Sequence, residues 1–436
     1  MDKLRIHGPC RLSGTLRASG AKNASLPALA ACLLTGDEVV LRHVPRVRDI
    51  VTMSKLLGHL GVERDEDPSG ADGEPGALRL RANGHGSAPD EAPYDLVKTM
   101  RAGVLTLGPL LARRGHAKVS LPGGCAIGVR PVDQHLAGLE AMGAEVDIDH
   151  GYIHASSTHL PDRRLQGARF RFATRTVTGT ENLLMAAVLA RGTSVLENCA
   201  QEPEVGDLAT LLRSMGAHID DDGHGTLTVE GRRSLHGAEH RVIPDRIEAG
   251  TYLVGAVMTR GDVTVVGTRP ADLAPLLEKL AEIGAEITTE DGKHNGSIRV
   301  RHDGDIGARD LVTAPHPGFP TDLQAQYMAL MTQASGAATI SETVFENRFQ
   351  HVPELGRMGA DIRIVRANYA QVHGPSRLSG ATVMATDLRA SACLVLAGLA
   401  ADGETVIDRI YHLDRGYEKM ESKLQRLGVR VERLSS

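Results

Sequence analysis

One phrase occurs six times along this chain of 436 residues: leucine, two variable residues, an apolar residue, glycine, then alanine or valine. It reads LGHLGVER from Leu57, LEAMGAEV from Leu139, LRSMGAHI from Leu212, LAEIGAEI from Leu280, LGRMGADI from Leu355 and LQRLGVRV from Leu424. A helix that stops at a glycine and hands over to a strand produces such a phrase. The stop residues are Gly61, Gly143, Gly216, Gly284, Gly359 and Gly428. A second glycine lies 23 to 28 residues upstream of each: Gly36, Gly115, Gly192, Gly261, Gly336 and Gly403. Each follows an apolar helical run and precedes a β-branched run. One unit therefore reads helix, strand, helix, strand and recurs roughly every 67 to 82 residues. A single doubly wound sheet does not repeat such a unit six times.

A further strand and turn closes each unit, most clearly in LTVEGRRSLHG (Leu227 to Gly237) and AQVHGPSRLSG (Ala370 to Gly380). The sixth unit ends without one, and its counterpart stands at the other end of the chain as LRIHGPCRLSG, Leu4 to Gly14. The expectation is an α/β fold of six βαβαββ-type units in two domains. Units one to three, residues 22–240, form the first. Units four to six, residues 241–436, form the second together with residues 1–21, so that domain is discontinuous.

Composition narrows the function. Apolar residues make up 42% and charged residues 24%, values that support real cores. A net charge of −5, no tryptophan and 3% aromatics disfavour nucleic-acid binding. The cysteines Cys10, Cys32, Cys125, Cys199 and Cys393 are odd in number, scattered and without C-x-x-C spacing. That pattern argues against a disulfide framework or a zinc site and for a reducing cytoplasm. The segment Leu29-Ala30-Ala31-Cys32 imitates a lipoprotein cleavage site, but its apolar run is short and contains Pro27. No stretch reads as a membrane span.

The first helix of every unit opens on polar or charged residues. Unit one has Lys22 and Asn23 ahead of Ser25 and Pro27, which read as a cap and a first-turn proline. Unit two has Lys98 and Arg101, unit three Thr178, Gly179 and Glu181, and unit four Asp245, Arg246 and Glu248. Unit five has Thr321 to Gln324, which fits a capping box, and unit six has Thr386, Asp387 and Arg389. Cations oppose the dipole at a helix start, so their presence there points to an anion-binding cleft between the domains. Two loops add to this. Ser120 to Asp133 carries three glycines and two prolines around Cys125, with Arg130 close by, a setting for a reactive thiol. Asp408 to Tyr417 packs charges densely ahead of the last helix.

Together the segments SGAKNASLPALAACLL, APYDLVKTMRAG, SLPGGCAIGVRPVDQH, TVTGTENLLMAA, PDRIEAG, FPTDLQAQY, ETVFENRF, ATDLRASA and DRIYHLDRGYEK resemble the enolpyruvyl transferases of the EPSP synthase-like family, specifically the UDP-N-acetylglucosamine branch. The resemblance runs from Met1 to about Val431. It implies a two-domain inside-out α/β barrel. It also implies transfer of the enolpyruvyl group of phosphoenolpyruvate to the 3-hydroxyl of UDP-N-acetylglucosamine, with loss of phosphate. That would be the first committed step of peptidoglycan synthesis in the cytoplasm and a target of fosfomycin. No metal, cofactor, membrane or obligate protein partner is expected.

By position, Cys125 matches the general acid that forms a covalent adduct, and Asp322 the base near the acceptor hydroxyl. Lys22, Asn23, Arg130, Arg389 and Arg415 match phosphoenolpyruvate contacts. Asn23, Arg101, Arg130, Pro131, Val132, Asp133, Gln134, Asp322 and Val344 match nucleotide-sugar contacts. The text TRTVTGTEN departs from relatives around Arg175 to Thr178, which leaves diphosphate contacts there open. Three other readings share part of the pattern: a shikimate-pathway enolpyruvyl transferase, a hydrolase using Cys125 with His135, and a non-catalytic nucleotide-sugar-binding protein.

Overall fold

The computed structural model describes residues 2–67, 76–82, 89–121, 132–292 and 296–435. The six repeated glycines all adopt positive φ, between 85° and 100°. Each stands one residue past a helix cap, at a position where a Cβ would be strained. From the second copy onward the same two bonds recur. The glycine N–H reaches back to the carbonyl three residues earlier, and the next N–H reaches the repeat's leucine, as in Ala144 to Leu139 and Val429 to Leu424. The repeated phrase is thus a Schellman stop: its leucine accepts the long bond and its alanine or valine donates it. The upstream glycines are less uniform. Gly115, Gly192, Gly336 and Gly403 are left-handed, but in the fourth copy Arg260 takes that conformation. There Gly261 is needed for closeness instead, since a Cβ would meet the Leu12 carbonyl at 2.2 Å.

The described strands form six four-stranded sheets of one plan, a parallel edge pair followed by an antiparallel hairpin. In the third, Arg169–Arg171 runs parallel to Thr193–Glu197, beside the hairpin of Leu227–Glu230 and His218–Asp221. The sixth sheet takes its inner hairpin strand from the start of the chain. Lys3–Gly8 lies between Gly403–Asp408 and Val431–Leu434, with Leu4 opposite Ile407 and Arg433. Two pairings went unforeseen. Ser13–Arg17 leaves the sixth sheet and runs parallel to Asp262–Thr268 in the fourth, while Glu239–Arg241 runs parallel to Val39–Arg42 in the first.

Contacts divide the chain into two compact units. One contains Met1–Ser19 with Pro244–Ser436, and the other lies between Gly20 and Ile243. Each unit has its own core. In the Gly20–Ile243 unit the helices Lys22–Ala31, Leu107–Arg114 and Val177–Ala187 are buried over most of their length. In the other unit, Arg246–Met258, Gln324–Met331 and Ser391–Ala400 are buried likewise. Around them the strands alternate, as in Gly296–Arg301, where Ile298 and Val300 face in and Arg299 and Arg301 face out. Apolar helices inside and half-solvated sheets outside give the inside-out arrangement. Among the described residues no helix is long and apolar enough to cross a membrane.

Candidate functional site

In the Gly20–Ile243 unit the helix begins directly at Lys22, with Ala21 as cap residue and no side-chain cap. The expected roles of Ser25 and Pro27 therefore fail. The Ser25 hydroxyl donates to the Ala21 carbonyl one turn back, and Pro27 lies inside the helix. Proline has no N–H, so the Asn23 carbonyl loses its intrahelical bond. Lys22 and Asn23 stay partly exposed while Ala24 to Ala31 are buried. The Lys22 ammonium stands 3.5 Å from the Asp49 carboxylate, and both side chains are largely covered.

Arg101 opens a short 3-10 turn, Arg101–Thr106, and His135 sits in the first turn of Asp133–Ala141. Gly108 N–H donates to Asn182 Oδ1, which fixes that amide's orientation. Asn182 Nδ2 then donates to His135 Nδ1 at 3.0 Å, so the ring proton sits on Nε2, facing Thr178 Oγ1 at 3.4 Å. Burial, aided by Arg101, pushes the imidazole down to about 4. A neutral histidine committed on both nitrogens is a poor base for a thiol, which removes the support for the hydrolase reading. Val132 is the helix's cap residue and Asp133 is exposed in its first turn. Gln134 is spent on Thr174, donating to its hydroxyl and accepting from its N–H. Cys125, Arg130 and Pro131, with most of the Ser120–Asp133 loop, lie outside the described residues.

In the other unit Asp322 stands on a 3-10 turn, Thr321–Leu323, which leads into Gln324–Met331. The expected capping box is absent. Thr321 donates its hydroxyl to Glu342 Oε2 at 2.8 Å and accepts Arg348 Nη1 at 2.8 Å, so it cannot cap. Arg348 Nη2 donates to Asp322 Oδ1 at 2.6 Å. Arg348 is buried, whereas the Asp322 side chain keeps 25% exposure. Glu342 Oε1 accepts from Thr313 Oγ1 and from the N–H groups of Val344 and Phe345. Val344 and Asp322 thus belong to one hydrogen-bonded block.

Arg389, expected to meet phosphoenolpyruvate, has partners within its own unit. Its guanidinium is buried, with Nη2 donating to Asp245 at 2.6 Å and Nη1 to the Gly416 carbonyl at 2.7 Å. Burial opposes its charge, but Asp245, Tyr417 and Asp322 outweigh that and hold it above its usual value. Asp245 in turn caps Arg246–Met258 by accepting from Ile247 and Glu248. Arg389 ties these elements together through its two terminal nitrogens, while its buried Nε has no hydrogen-bond partner among the described residues. Gln326 Nε2 lies within reach of the Asp322 and Arg389 carbonyls. Arg415 closes the 3-10 turn Leu413–Arg415 and is half-buried.

The partners Asp49, Gln326, Glu342, Arg348 and Tyr417 were not singled out from sequence, and Asp245 was read only as a polar residue at a helix start. Glu342 and Arg348 lie inside ETVFENRF and Asp245 inside PDRIEAG, so the segments were visible but the pairings were not. Of the described cysteines, Cys32, Cys199 and Cys393 are buried. Burial pushes the thiols of Cys10 up to about 11 and of Cys32 and Cys199 up to about 12, and that of Cys393 well up. Among the described residues no cluster of three or more histidines, cysteines or carboxylates could hold a metal ion.

Residues 6–424 match the family described as EPSP synthase (3-phosphoshikimate 1-carboxyvinyltransferase). The fold is shared with the enolpyruvyl transferase NikO from Streptomyces tendae, at TM-score 0.86 and 25% identity, covering 100% of this chain and 99% of that one. It is shared also with EPSP synthase from Acinetobacter baumannii, at TM-score 0.77 and 17% identity with both chains fully covered. The architecture is therefore that of an enolpyruvyl transferase. A curated relative from Magnetococcus marinus, UDP-N-acetylglucosamine 1-carboxyvinyltransferase, is 54% identical over 435 residues, 100% of each chain. The chain belongs to the EPSP synthase family of enolpyruvyl transferases and is a transferase.

Proposed function

We propose that this chain transfers the enolpyruvyl group of phosphoenolpyruvate to the 3-hydroxyl of the N-acetylglucosamine in UDP-N-acetylglucosamine, and that this opens peptidoglycan synthesis in the cytoplasm. The observation that carries the reading is the 54% identity, over the full length of both chains, to a relative with that name. The partly exposed Asp322 carboxylate, held by Arg348, agrees with it. In this reading Asp322 accepts the proton of the sugar hydroxyl as its oxygen bonds to C2 of phosphoenolpyruvate. Cys125 delivers a proton to C3 of the same molecule. The tetrahedral adduct then loses a proton from C3 and phosphate from C2, restoring the double bond. Lys22, Arg130 and Arg415 supply positive charge to the phosphate and carboxylate. Asn23, Arg101 and the segment from Pro131 to Gln134 serve the nucleotide sugar, with Val344 on the uracil side. No step needs a redox group.

The test is a phosphate-release assay with product mass. Phosphoenolpyruvate with UDP-N-acetylglucosamine should yield one phosphate per enolpyruvyl ether, and chelators should leave the rate unchanged. Phosphate release with shikimate 3-phosphate in place of the nucleotide sugar would move the chain to the other branch. Loss of activity in EDTA, restored by a divalent ion, would contradict the proposed mechanism.

A second expectation concerns the thiols. Four of the five cysteines sit where burial keeps the thiol protonated, and protonated thiols react slowly. Iodoacetamide on the native enzyme at neutral pH should therefore label Cys125 first and abolish turnover in step with labelling. Peptide mapping that finds Cys10 or Cys199 modified as activity falls would reject the assignment.

A further inference from the structure

We propose that Arg348 is the positioning residue for Asp322, fixing the orientation of its carboxylate and keeping it ionised for the acceptor hydroxyl. The inference rests on the reading of Asp322 as the base. One planar fork grips two successive residues, Thr321 through Nη1 and Asp322 through Nη2. That holds Asp322 Oδ1 at a fixed distance from a fork whose plane is set by Thr321, which a lysine's single ammonium cannot do. The fork itself is held. Arg348 lies 5.2 Å over the Phe345 ring, and Thr321 passes its hydroxyl proton on to the buried Glu342. Glu342 binds the N–H groups of Val344 and Phe345, four and three positions before Arg348. The turn 321–323 and the segment 342–348 are therefore hydrogen-bonded into one block.

Arg348 stands in a group of charges that includes Asp322, Asp387 and Glu342. Glu342 joins it through Thr321, and Asp387 and Arg389 act on the same group of charges. His351, buried beside Arg348 and Asp387, is pushed down to about 4, chiefly by burial, and stays neutral. Glu342 and Asp387 are the neighbouring carboxylates, Arg389 is tied to Asp245, and Arg415 and Arg409 act beside Asp387 on His412. Removing Arg348 takes away the guanidinium that donates to Asp322 Oδ1 at 2.6 Å. An adjacent guanidinium favours the ionised carboxylate, and its loss favours the protonated form, which cannot act as a base.

The test measures kcat, both KM values and UDP-N-acetylglucosamine affinity across the acid and neutral range for three variants of the full-length enzyme. Asp322→Asn should lower kcat by about 10²–10⁴-fold with binding largely kept. Arg348→Met should move the acid limb of the kcat profile up by about 1–3 pH units, the effect of an opposite charge at this range. Arg348→Lys should leave the limb near its wild-type place but lower the plateau by about 10–10²-fold, because the charge stays and the fork is lost. If Asp322→Asn turns over at nearly the wild-type rate, the reading of Asp322 itself fails. If Asp322→Asn is inactive yet Arg348→Met keeps its acid limb in place, the positioning role alone fails. Should Arg348→Met not fold, a wild-type plateau in Arg348→Lys overturns the proposal equally.

Discussion

Removing residues 2–14 should unfold the unit of Pro244–Ser436 and leave the Gly20–Ile243 unit folded. The deleted segment contains all of Lys3–Gly8, an inner strand of its sheet, with neighbours on both sides. Its removal strands the backbone groups of Gly403–Asp408 and Val431–Leu434 along one edge each. It also takes Leu4, Ile6 and Leu12, each 2% exposed or less, out of the core. At about 1.5–3 kcal/mol per buried side chain, the apolar loss alone is roughly 5–9 kcal/mol, comparable to the whole stability of a typical domain, about 5–15 kcal/mol. The core of the other unit includes no residue before Ala21. Differential scanning calorimetry should therefore lose one transition and keep one, and limited proteolysis should leave a resistant fragment spanning Gly20 to Ile243. A truncated protein that melts like the full-length chain would refute the closing role of the strand. Loss of both transitions would refute the independence of the two cores.

What could be read from sequence and what could not differ in range. The Schellman stop is local: leucine, glycine and the following small apolar residue lie within six positions, so one pattern reports it. The side chains that set the candidate site choose partners far away in the chain. Thr321 has the local context of a helix cap, but its hydroxyl is taken by Glu342, 21 residues on, and by Arg348, 27 on. Ser25 and Pro27 also looked like a helix start, yet the bond of Ala21 to Ile243 sets where that helix begins. Arg389 was recognised as a charge at a helix start, and its partner Asp245 lies 144 residues upstream. Local propensity says which groups want partners, while tertiary packing decides which they get. His135 shows the same limit. Its type suggested a base, and only the amide of Asn182, 47 residues away, assigns the tautomer that rules this out.

Arg389→Met should destabilise the Pro244–Ser436 unit by about 3–5 kcal/mol, the range for breaking a buried ion pair by removing one partner. Asp245 and Arg389 are 3% and 2% exposed, so water cannot replace the lost guanidinium. Asp245 would keep its two helix-cap bonds but would lose the guanidinium at 2.6 Å. The thermal transition should fall by roughly 6–20 °C, at about 2–4 °C per kcal/mol for a unit of this size. Asp245→Asn alone should also destabilise, because it takes from the buried arginine its hydrogen-bonded carboxylate. The double variant Arg389→Met/Asp245→Asn decides the matter. It keeps a side chain able to cap the helix and buries no charge at either position, so it should regain most of the loss. A double variant as unstable as either single one would mean that the two side chains are not coupled as the 2.6 Å contact implies. The KM for phosphoenolpyruvate in the same proteins reads the other possible use of Arg389. A KM that recovers with stability assigns the residue to the internal tie alone. A KM that stays raised in a restored fold assigns it to the substrate carboxylate as well.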